Sequence, residues 1–500
     1  MTGDCHVRFC ERLGVQLPRP TDPHMSSLIV GATIIDGVAQ NPIAGQSIWI
    51  EGGRIKAIGK RDEFGCLPQA ELIDAAGKFV IPGLMNANVH LLCDVRLENL
   101  ARYTGRYEEL IAEAAQVALR NGLTTVFDTW GPRRFLMAVR DRINAGETPG
   151  SRIFCAGNII GFDGPFSADF FHKAAEVASP AFVKRINAIW AENVGRHMMW
   201  LSPDQAAREV RTYIGKGIDF IKLASNEHFG TSAGAFLAFS PRVQAAMVEE
   251  AHRAGITAQA HTMSSEGLHV AIEAGCDLIQ HANNTGPAPM SETMLEFLAT
   301  RQTGAVVFPF TQRRLEWLMK NDYLKGPTML QAADTNVRNL IRCGAMLLLA
   351  NDGSLFAPEW AGDPLVGKSW AAPGEDSLMD LGSGHFAWLK AMEEKGMMPR
   401  EMLKAATSNI AAAYGKDKDL GTLEPGKIAD LLILRKNPLE AAENYRSIDL
   451  IVKEGVIVDR DALPLNPLLT RPMDPPAPEE TSYVVVSHGT FPMCPMCVRH

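Results

Sequence analysis

Five polar side chains stand within or directly after separate apolar runs in the middle of the chain: His90, Lys222, His261, His281 and Asp352. Imidazole and carboxylate groups are common ligands of divalent metal ions, and such an ion makes water acidic enough to act as a nucleophile near neutral pH. Each side chain alone has an ordinary interpretation, such as a core histidine or an Asp-Gly turn. Five of them at five strand ends instead indicate one metal-binding site.

Lys222 lies inside the run IDFIKLAS, with apolar neighbours on both sides. Burial of this kind disfavours the ammonium cation and favours the neutral amine. A neutral amine can add CO2 to become a carbamate, which replaces a cation by an anionic oxygen ligand. Taken alone, the residue could equally be a lysine paired with a buried carboxylate.

Short apolar runs alternate with amphipathic helical stretches across residues 81–414. The runs are KFVIPGLMNANVH, LTTVFDTW, SRIFCAGNII, IDFIKLAS, ITAQAH, CDLIQHA, GAVVFPF and AMLLLAND. Apolar strands that alternate with helices are typical of parallel strands buried on both faces. Eight such units predict an α/β fold with a (β/α)8 TIM barrel, whose strand ends all face one mouth. The five polar side chains would converge there.

Two long connections, 162–202 and 354–385, would lie over this mouth. Their Phe and Trp residues would either line the pocket or pack against one another. Strand-rich segments at 26–80 and 415–460 flank the barrel region and predict one small β-sandwich domain built from both ends of the chain. Residues 1–25 would then be an N-terminal extension and 461–500 a C-terminal tail.

The composition is that of a globular protein with a sizeable core, since 46% of the 500 residues are hydrophobic and 21% are charged. The net charge of −8 argues against a nucleic-acid-binding surface. The sequence has neither an apolar run long enough to span a membrane nor the apolar core of a secretory signal. Nine cysteines do not suggest a disulfide scaffold, and we expect a cytoplasmic protein with reduced thiols.

Several motifs resemble those of the amidohydrolase superfamily, in the same order and over nearly the whole chain. FVIPGLMNANVH is similar to the family's first-strand motif, in which Pro-Gly precedes a His-x-His pair. NGLTTVFDTWG resembles its second-strand segment. ATSNIAAAYG and LGTLEPGKIADLLILRKNP resemble its return to a small β domain. The resemblance implies a metal-dependent hydrolase that cleaves amide-type C–N bonds.

A two-metal ligand set follows from the resemblance, with one departure. A carbamylated Lys222, His261 and His281 would hold one ion, and the His-x-His pair with Asp352 would hold the other. The first histidine of that pair is Asn88 here, leaving His90, and a carboxamide is a weaker ligand for zinc-like ions. We therefore expect a single catalytic metal, Zn2+ in the first place and Co, Mn or Fe as alternatives, held by three protein ligands with room for water.

The Asn-x-His variant resembles the subgroup that contains the phenylurea hydrolases and molinate hydrolase, which split urea and thiocarbamate herbicides. The resemblance implies a small-molecule substrate, in the first place an N-aryl urea cleaved to an aniline, CO2 and an alkylamine. Asp352 would take the proton of the attacking water and return it to the leaving amine. His90 and Asn88 would hold the water or polarise the carbonyl oxygen.

Other functions remain open at this point. The enzyme could be a thiocarbamate hydrolase, or a dipeptidase or carboxypeptidase-like amidohydrolase acting on N-acyl amino acids. A non-catalytic homologue that has lost metal ligands is an alternative of a different class, although the retained ligands argue against it. The family resemblance also implies a homo-oligomer, and no membrane or nucleic-acid partner is expected.

Other residues of ligand type have alternative roles. Asp128 could orient a histidine ligand or form a structural salt bridge, and Glu227 and His228 are expected more often as exposed loop residues than as pocket residues. Cysteines and histidines also cluster at both termini, where mobile tails with reduced thiols are favoured over a structural zinc site. These terminal residues are Cys5, His6, Cys10, Cys494, Cys497 and His500.

Overall fold

The computed structural model describes most of the chain between residues 26 and 471. The described residues are 26–39, 41–65, 67, 70–92, 98–170, 175–176, 178–228, 235–321, 326–357 and 374–471. Both terminal Cys/His clusters lie outside these residues. In the described part of the chain, no helix has the length and apolar character needed to cross a bilayer.

Strands and helices follow one another along the chain in mixed order. The strands are β1 (Ser26–Ile34), β2 (Ile43–Glu51), β3 (Arg54–Gly59), β4 (Glu71–Asp74), β5 (Phe79–Pro82), β6 (Leu84–Val89), β7 (Leu123–Asp128), β8 (Arg152–Cys155), β9 (Ile159–Ile160), β10 (Ile221–Ala224), β11 (Ala258–His261), β12 (Leu278–Gln280), β13 (Gly304–Val306), β14 (Leu347–Leu348), β15 (Leu431–Leu434), β16 (Ile448–Lys453) and β17 (Val456–Ile457). The helices are α1 (Glu98–Arg102), α2 (Tyr107–Arg120), α3 (Arg133–Asn144), α4 (Pro180–Ala191), α5 (Pro203–Ile214), α6 (Pro241–Arg253), α7 (Ser265–Glu273), α8 (Glu292–Arg301), α9 (Gln312–Asn321), α10 (Pro327–Arg342), α11 (Gly384–Glu394), α12 (Pro399–Ala405) and α13 (Ser408–Ala413).

One mixed sheet combines strands from both ends of the described chain. Its order is β17-β16-β15-β5-β1-β2-β3, and β4 pairs with β1. The ends meet because β5 lies between β1, to which it is parallel, and β15, to which it is antiparallel. Alternate isoleucines such as Ile48, Ile50 and Ile433 are buried in a separate core, where each contributes roughly 1.5–3 kcal/mol. The predicted separate sheet domain is confirmed, as a single mixed sheet of eight strands.

The middle strands form two parallel sheets. One has the order β6-β7-β8 and the other runs from β9 to β14 in sequence order. Residues 156–158 separate β8 from β9, and Gly157 breaks the strand there with a φ of 73°. After β14, the backbone of Leu349 and Gly353 accepts hydrogen bonds from Ala87 and His90 of the β6 segment, both at 2.9 Å.

This arrangement confirms a TIM-barrel-type fold. Within the described residues, however, the strand ladder is recorded as two sheets, and a single closed barrel is not detected. The pairing is interrupted where strands are short, since β9 and β14 contain two residues each. Parallel order is maintained throughout, so that the carboxyl ends of β6 to β14 point in one direction.

Amphipathic helices cover the parallel strands, and α5 shows why they form. Ser202 and Gln205 form a reciprocal capping box at its start, and Pro203 occupies the first turn, where no hydrogen-bond donor is needed. Val210 and Tyr213 are buried along one face at helical spacing. The hydroxyl of Tyr213 also holds the segment between β8 and β9, since it accepts from the N–H of Asn158 at 2.8 Å and donates to the carbonyl of Ala156 at 3.2 Å.

Candidate active site

The predicted site residues lie at the carboxyl ends of the parallel strands. His90 follows β6, Lys222 lies within β10, His261 ends β11, His281 follows β12, and Asp352 comes four residues after β14. All five side chains are largely buried, with His90 the most exposed at 12%. The imidazole centroids of His261 and His281 are 5.0 Å apart. The structure thus brings together the residues that the sequence predicted to converge.

His90 and Asp352 form a buried pair, with His90 Nε2 2.9 Å from Asp352 Oδ1. Burial alone would raise the pKa of Asp352, but the charge and hydrogen bond of His90 hold that pKa well below its ordinary value. The Asp352 side chain is therefore a carboxylate at neutral pH. Asp352 and His281 also have left-handed backbone angles, φ 51° and 56°, of a kind that is often retained at functional sites.

His281 has a ring nitrogen that is available to bind a cation. Burial lowers the pKa of His281 to about 4, so the imidazole is neutral and its nitrogens can act as ligands. Nδ1 of His281 is buried without a hydrogen-bond partner among the described residues, and the same is true of Nδ1 of His90. Buried polar atoms normally have partners. Two unpartnered imidazole nitrogens in one cluster therefore fit a bound metal ion.

The described side chains of His, Cys, Asp and Glu contain no group of three arranged to hold a metal. The candidate set differs from such a group because its third member is a lysine. Lys222 contributes an oxygen ligand only after its amine is modified. The residues fit a metal ion on that condition, together with the imidazoles of His261 and His281.

Asn88 lies in the interior, and both the oxygen and the nitrogen of its side-chain amide form hydrogen bonds. Thr129 Oγ1 donates to Asn88 Oδ1 at 2.5 Å, and Asn88 Nδ2 donates to Gln280 Oε1 at 2.8 Å. Lys222 Nζ donates to Thr129 Oγ1 at 3.1 Å. Asn88 and Thr129 are fully buried. These contacts join Asn88 to Lys222 through Thr129.

Asp128, at the end of β7, binds backbone rather than a histidine ring. Its carboxylate accepts hydrogen bonds from the N–H groups of Leu91, at 2.7 Å, and Trp130, at 3.2 Å. Burial raises the pKa of Asp128 to about 6, although the charge of His90 opposes the shift. Asp128 therefore holds together the two backbone segments that follow β6 and β7, next to His90.

An aromatic cluster borders the histidines, and the sequence identified it only in part. Trp130 stacks on Phe170 at 4.0 Å between ring centroids, and Phe170 lies 4.5 Å from His228. The ring of His228 lies 5.0 Å from His261, and that of Phe162 lies 5.7 Å from it. Phe162 and Phe170 come from the predicted insertion 162–202. Its rings both pack together and border the candidate ligands.

His228 is half-buried, whereas the sequence favoured an exposed loop position for it. Its Nδ1 lies 3.0 Å from the carbonyl oxygen of Asp169, and burial lowers the pKa of His228 to about 3. The aromatic residues Phe162 and Phe170 in the insertion were the available signal that this loop would be covered. Glu227 is also half-buried, and its N–H donates to the carbonyl of Phe236. Part of the second predicted insertion, residues 358–373, lies outside the described residues.

A cavity of about 580 Å³ lies elsewhere, between the β2–β3 turn and the amino ends of β8 and β10. Its charged groups are paired: Arg140 with Asp219 at 2.8 Å, and Arg152 with Glu454. None of the predicted site residues lines this cavity. Its position at the opposite strand ends separates it from the histidine cluster.

Histidine, lysine and aspartate side chains gathered at the carboxyl ends of a TIM-barrel-type fold define a hydrolytic class of enzyme. The model of the amidohydrolase family matches residues 79–458, and the chain belongs to this family. It is therefore a hydrolytic enzyme that acts on C–N bonds, in a family that is generally metal-dependent.

Two solved structures are similar over nearly the whole chain. The structure of molinate hydrolase has a TM-score of 0.84 and 37% identity and covers 91% of this chain and 98% of its own. Phenylurea hydrolase B also has a TM-score of 0.84, with 35% identity and coverage of 89% and 99%. Ochratoxinase of Aspergillus niger is 26% identical over 373 residues, covering 72% of this chain and 71% of its own. The resemblance predicted from the Asn-x-His motif is confirmed.

Proposed function

We propose that this enzyme hydrolyses an N-aryl urea to an aniline, CO2 and an alkylamine. The observation that carries the proposal is the buried His90–Asp352 pair beside Lys222, His261 and His281, in a chain similar to phenylurea hydrolase B over 89% of its length. Water adds to the urea carbonyl, the bond to the aryl nitrogen breaks, and the carbamic acid that remains decomposes to CO2 and the alkylamine.

The ligand set belongs to the same proposal. Lys222, as its carbamate, would hold one divalent ion together with His261 and His281. Zn2+ is the first candidate, and Co, Mn or Fe are alternatives. Such an ion, when bound, lowers the pKa of water from about 16 towards 7.

Asp352 is placed to move the proton. Its low pKa keeps it ionised, and His90 Nε2 holds one of its oxygens at 2.9 Å. Asp352 would accept the proton of water and then deliver it to the departing aryl nitrogen, so that the amine leaves uncharged. His90 would orient this carboxylate and polarise the carbonyl oxygen.

Asn88 receives a different role from the one that the motif suggested. Since its oxygen accepts from Thr129 and its nitrogen donates to Gln280, we assign Asn88 to positioning rather than to substrate contact. Trp130, Phe170 and His228 offer an aromatic surface beside the histidines, which suits a planar aryl substituent.

A thiocarbamate is the second candidate substrate. The similarity to molinate hydrolase, 37% identity over 91% of the chain, supports it as strongly as the similarity to phenylurea hydrolase B supports a urea. Dipeptidase activity on N-acyl amino acids has weaker support, because the Xaa-Pro dipeptidase structure is 21% identical and shows the fold alone. Membership of the family as a hydrolytic enzyme leaves the non-catalytic alternative without support.

A substrate screen with metal analysis of the same preparation tests the proposal. Purified enzyme is incubated separately with an arylurea, molinate and an N-acyl amino acid, and the released amine is quantified. We expect aniline from the arylurea and about one divalent ion per chain. Release from molinate alone would move the assignment to the thiocarbamate, and a fully active preparation without bound metal would refute the ligand set.

The division of the chain into a composite sheet domain (26–80 with 415–460), a barrel (81–414) and two terminal segments is part of the proposal. Assembly into a homo-oligomer is also part of the proposal. Light scattering of the purified protein measures the mass of the assembly directly, and a monomeric mass would refute this part.

A further inference from the structure

A chain of hydrogen bonds runs through the interior of the parallel strands below the histidine cluster. Lys222 donates to Thr129, Thr129 donates to Asn88, and Asn88 donates to Gln280, at 3.1, 2.5 and 2.8 Å. Gln280 in turn donates to Gln259. These side chains are between 0% and 2% exposed. The chain therefore runs from an amine through uncharged groups in a part of the core without access to water.

The donors along this chain all point away from Lys222. Gln259 Oε1 accepts from Gln280 Nε2, and the hydroxyl of Tyr414, 3.4 Å from the same oxygen, donates to the carbonyl of Ala87 at 2.7 Å. Gln280 then presents Oε1 to Asn88, and Asn88 presents Oδ1 to Thr129. Since the single hydroxyl proton of Thr129 is used on Asn88, Oγ1 is left as an acceptor towards Lys222.

We infer that Thr129 is a positioning residue for a carbamate on Lys222, an inference that rests on the proposed function. In the modification, the neutral amine nitrogen forms a bond to the carbon of CO2, one N–H proton is released to solvent, and an anionic carbamate remains. The product keeps a single N–H. Conjugation makes that nitrogen planar, so an acceptor at Thr129 Oγ1 fixes the plane of the whole group.

The free amine depends less on Thr129 than the carbamate does. A neutral amine has two N–H bonds and can rotate to find another partner, whereas the carbamate has one N–H whose direction is set by conjugation. Removal of the acceptor therefore penalises the carbamate more, because it leaves a buried donor unsatisfied. Asn88 acts through Thr129, since without its oxygen the Thr129 hydroxyl would be free to donate towards Lys222.

The test compares Thr129→Val, which has the same shape without the hydroxyl, with Thr129→Ser, which retains it. Each metal-free protein is titrated with 13C-labelled bicarbonate, and the carbamate carbon is followed by NMR. Zinc uptake per chain is then measured on the same samples. For Thr129→Val we expect half-modification to require about tenfold more bicarbonate, the effect of losing one hydrogen bond to a buried group. Thr129→Ser should behave like the unmodified sequence.

Thr124→Val is the matched control, because Thr124 is a buried threonine of β7, the strand that Thr129 directly follows, and its hydroxyl lies 3.5 Å from the carbonyl of Leu84. It should leave carbamate formation unchanged, and thermal melting confirms that all variants are folded. Equal carbamate in Thr129→Val and in the parent chain would overturn the inference, as would a loss in Thr129→Ser equal to that in Thr129→Val. Absence of the carbamate signal in the parent chain would instead refute the ligand set proposed above.

Discussion

Buried charged groups occur at both ends of the parallel strands, and the two groups differ in whether all their polar atoms have partners. Near the amino end of β8, Arg152 forms ion pairs with Asp430 and Glu454, and Lys453 Nζ lies 3.2 Å from Glu454. Burial lowers the pKa of Lys453, and the neighbouring carboxylates oppose this shift. Each cation in this group faces a carboxylate, and the group joins the mixed sheet to the parallel strands.

At the carboxyl ends, some buried polar atoms have no such partner. His90, His281 and Lys222 lie around Asp352, and Nδ1 of each of the two imidazoles is buried without a hydrogen-bond partner in the described part of the chain. A group whose charges are all paired leaves no polar atom open to a ligand, whereas a group with unpartnered polar atoms is completed when an ion or a ligand binds there. The contrast assigns stability to the amino ends and chemistry to the carboxyl ends, as is usual for barrels of this type.

The substitution Asp352→Asn tests this contrast most directly. It removes a carboxylate from the carboxyl-end group, and the side chain keeps the same shape. We expect turnover of the arylurea to fall by about 10³-fold, because a carboxamide cannot accept and return a proton. Metal content should stay close to that of the parent. Asp380→Asn, at a half-buried carboxylate after β14, is the control and should retain activity. An active Asp352→Asn enzyme would remove the proton-transfer role.

The converse substitution, Arg152→Met, removes the central cation of the amino-end group. It leaves Asp430 and Glu454 without their guanidinium partner, and we expect the free energy of unfolding in urea to fall by about 3–5 kcal/mol. The arylurea kcat/KM of the folded variant should be unchanged. Arg253→Met is the control, since Arg253 is 56% exposed and its pairs should contribute less than about 1 kcal/mol. A large loss of kcat/KM in Arg152→Met would contradict the separation of roles.

The carboxyl-end group could be predicted from the sequence because each of its residues lies within an apolar run or directly after one. A parallel arrangement then brings all such ends to one side, whatever the detailed pairing. The patterns could not show that Asn88 faces Thr129 and Gln280, because these contacts depend on the register between three strands. They also could not show that Gly157 interrupts the third strand, since glycine is compatible with either a strand or a break.

The amino-end group was not predicted at all. Arg152 begins a strand, while Asp430 and Glu454 lie about 280 and 300 residues later, where the sequence shows only turn-like positions. Ion pairs between remote segments leave no periodic signal in either one. The mixed sheet was foreseen as a composite of both chain ends, but its path through β5 depends on which strand edges are free to pair.

A smaller effect is expected where the end of the described chain binds α2. The carboxylate of Glu113 accepts hydrogen bonds from the N–H groups of Leu468, Leu469 and Thr470, each at 2.9 Å. Glu113→Gln places an amide against these donors, and we expect a loss of about 2 kcal/mol in unfolding free energy and faster proteolysis at residues 465–471. Glu108→Gln, on the exposed face of the same helix, should change neither. An unchanged cleavage rate in Glu113→Gln would show that the segment is held by its apolar contacts instead.

The smallest effect concerns pH and a buried histidine outside both charged groups. His385, at the start of α11, donates from Nε2 to the carbonyl of Asn121 at 3.0 Å, and burial lowers the pKa of His385 from 6.5 to about 3. Between these values the unfolded chain binds a proton that the folded chain does not. Stability from this residue is therefore complete above pH 6.5 and is lost as the pH falls towards 3, by about 1.4 kcal/mol per pH unit.

In His385→Gln an amide can still donate to Asn121, but the titrating group is gone. Between pH 7 and 5.5, the parent should lose about 1.4 kcal/mol more unfolding free energy than this variant. His197→Gln, at an exposed position, should follow the parent curve. If His385→Gln and the parent lose stability in parallel, His385 is not the acid-sensitive group. The histidines at the carboxyl ends would then account for the slope, and saturating zinc would flatten it, because a bound ion competes with protons for the same imidazoles.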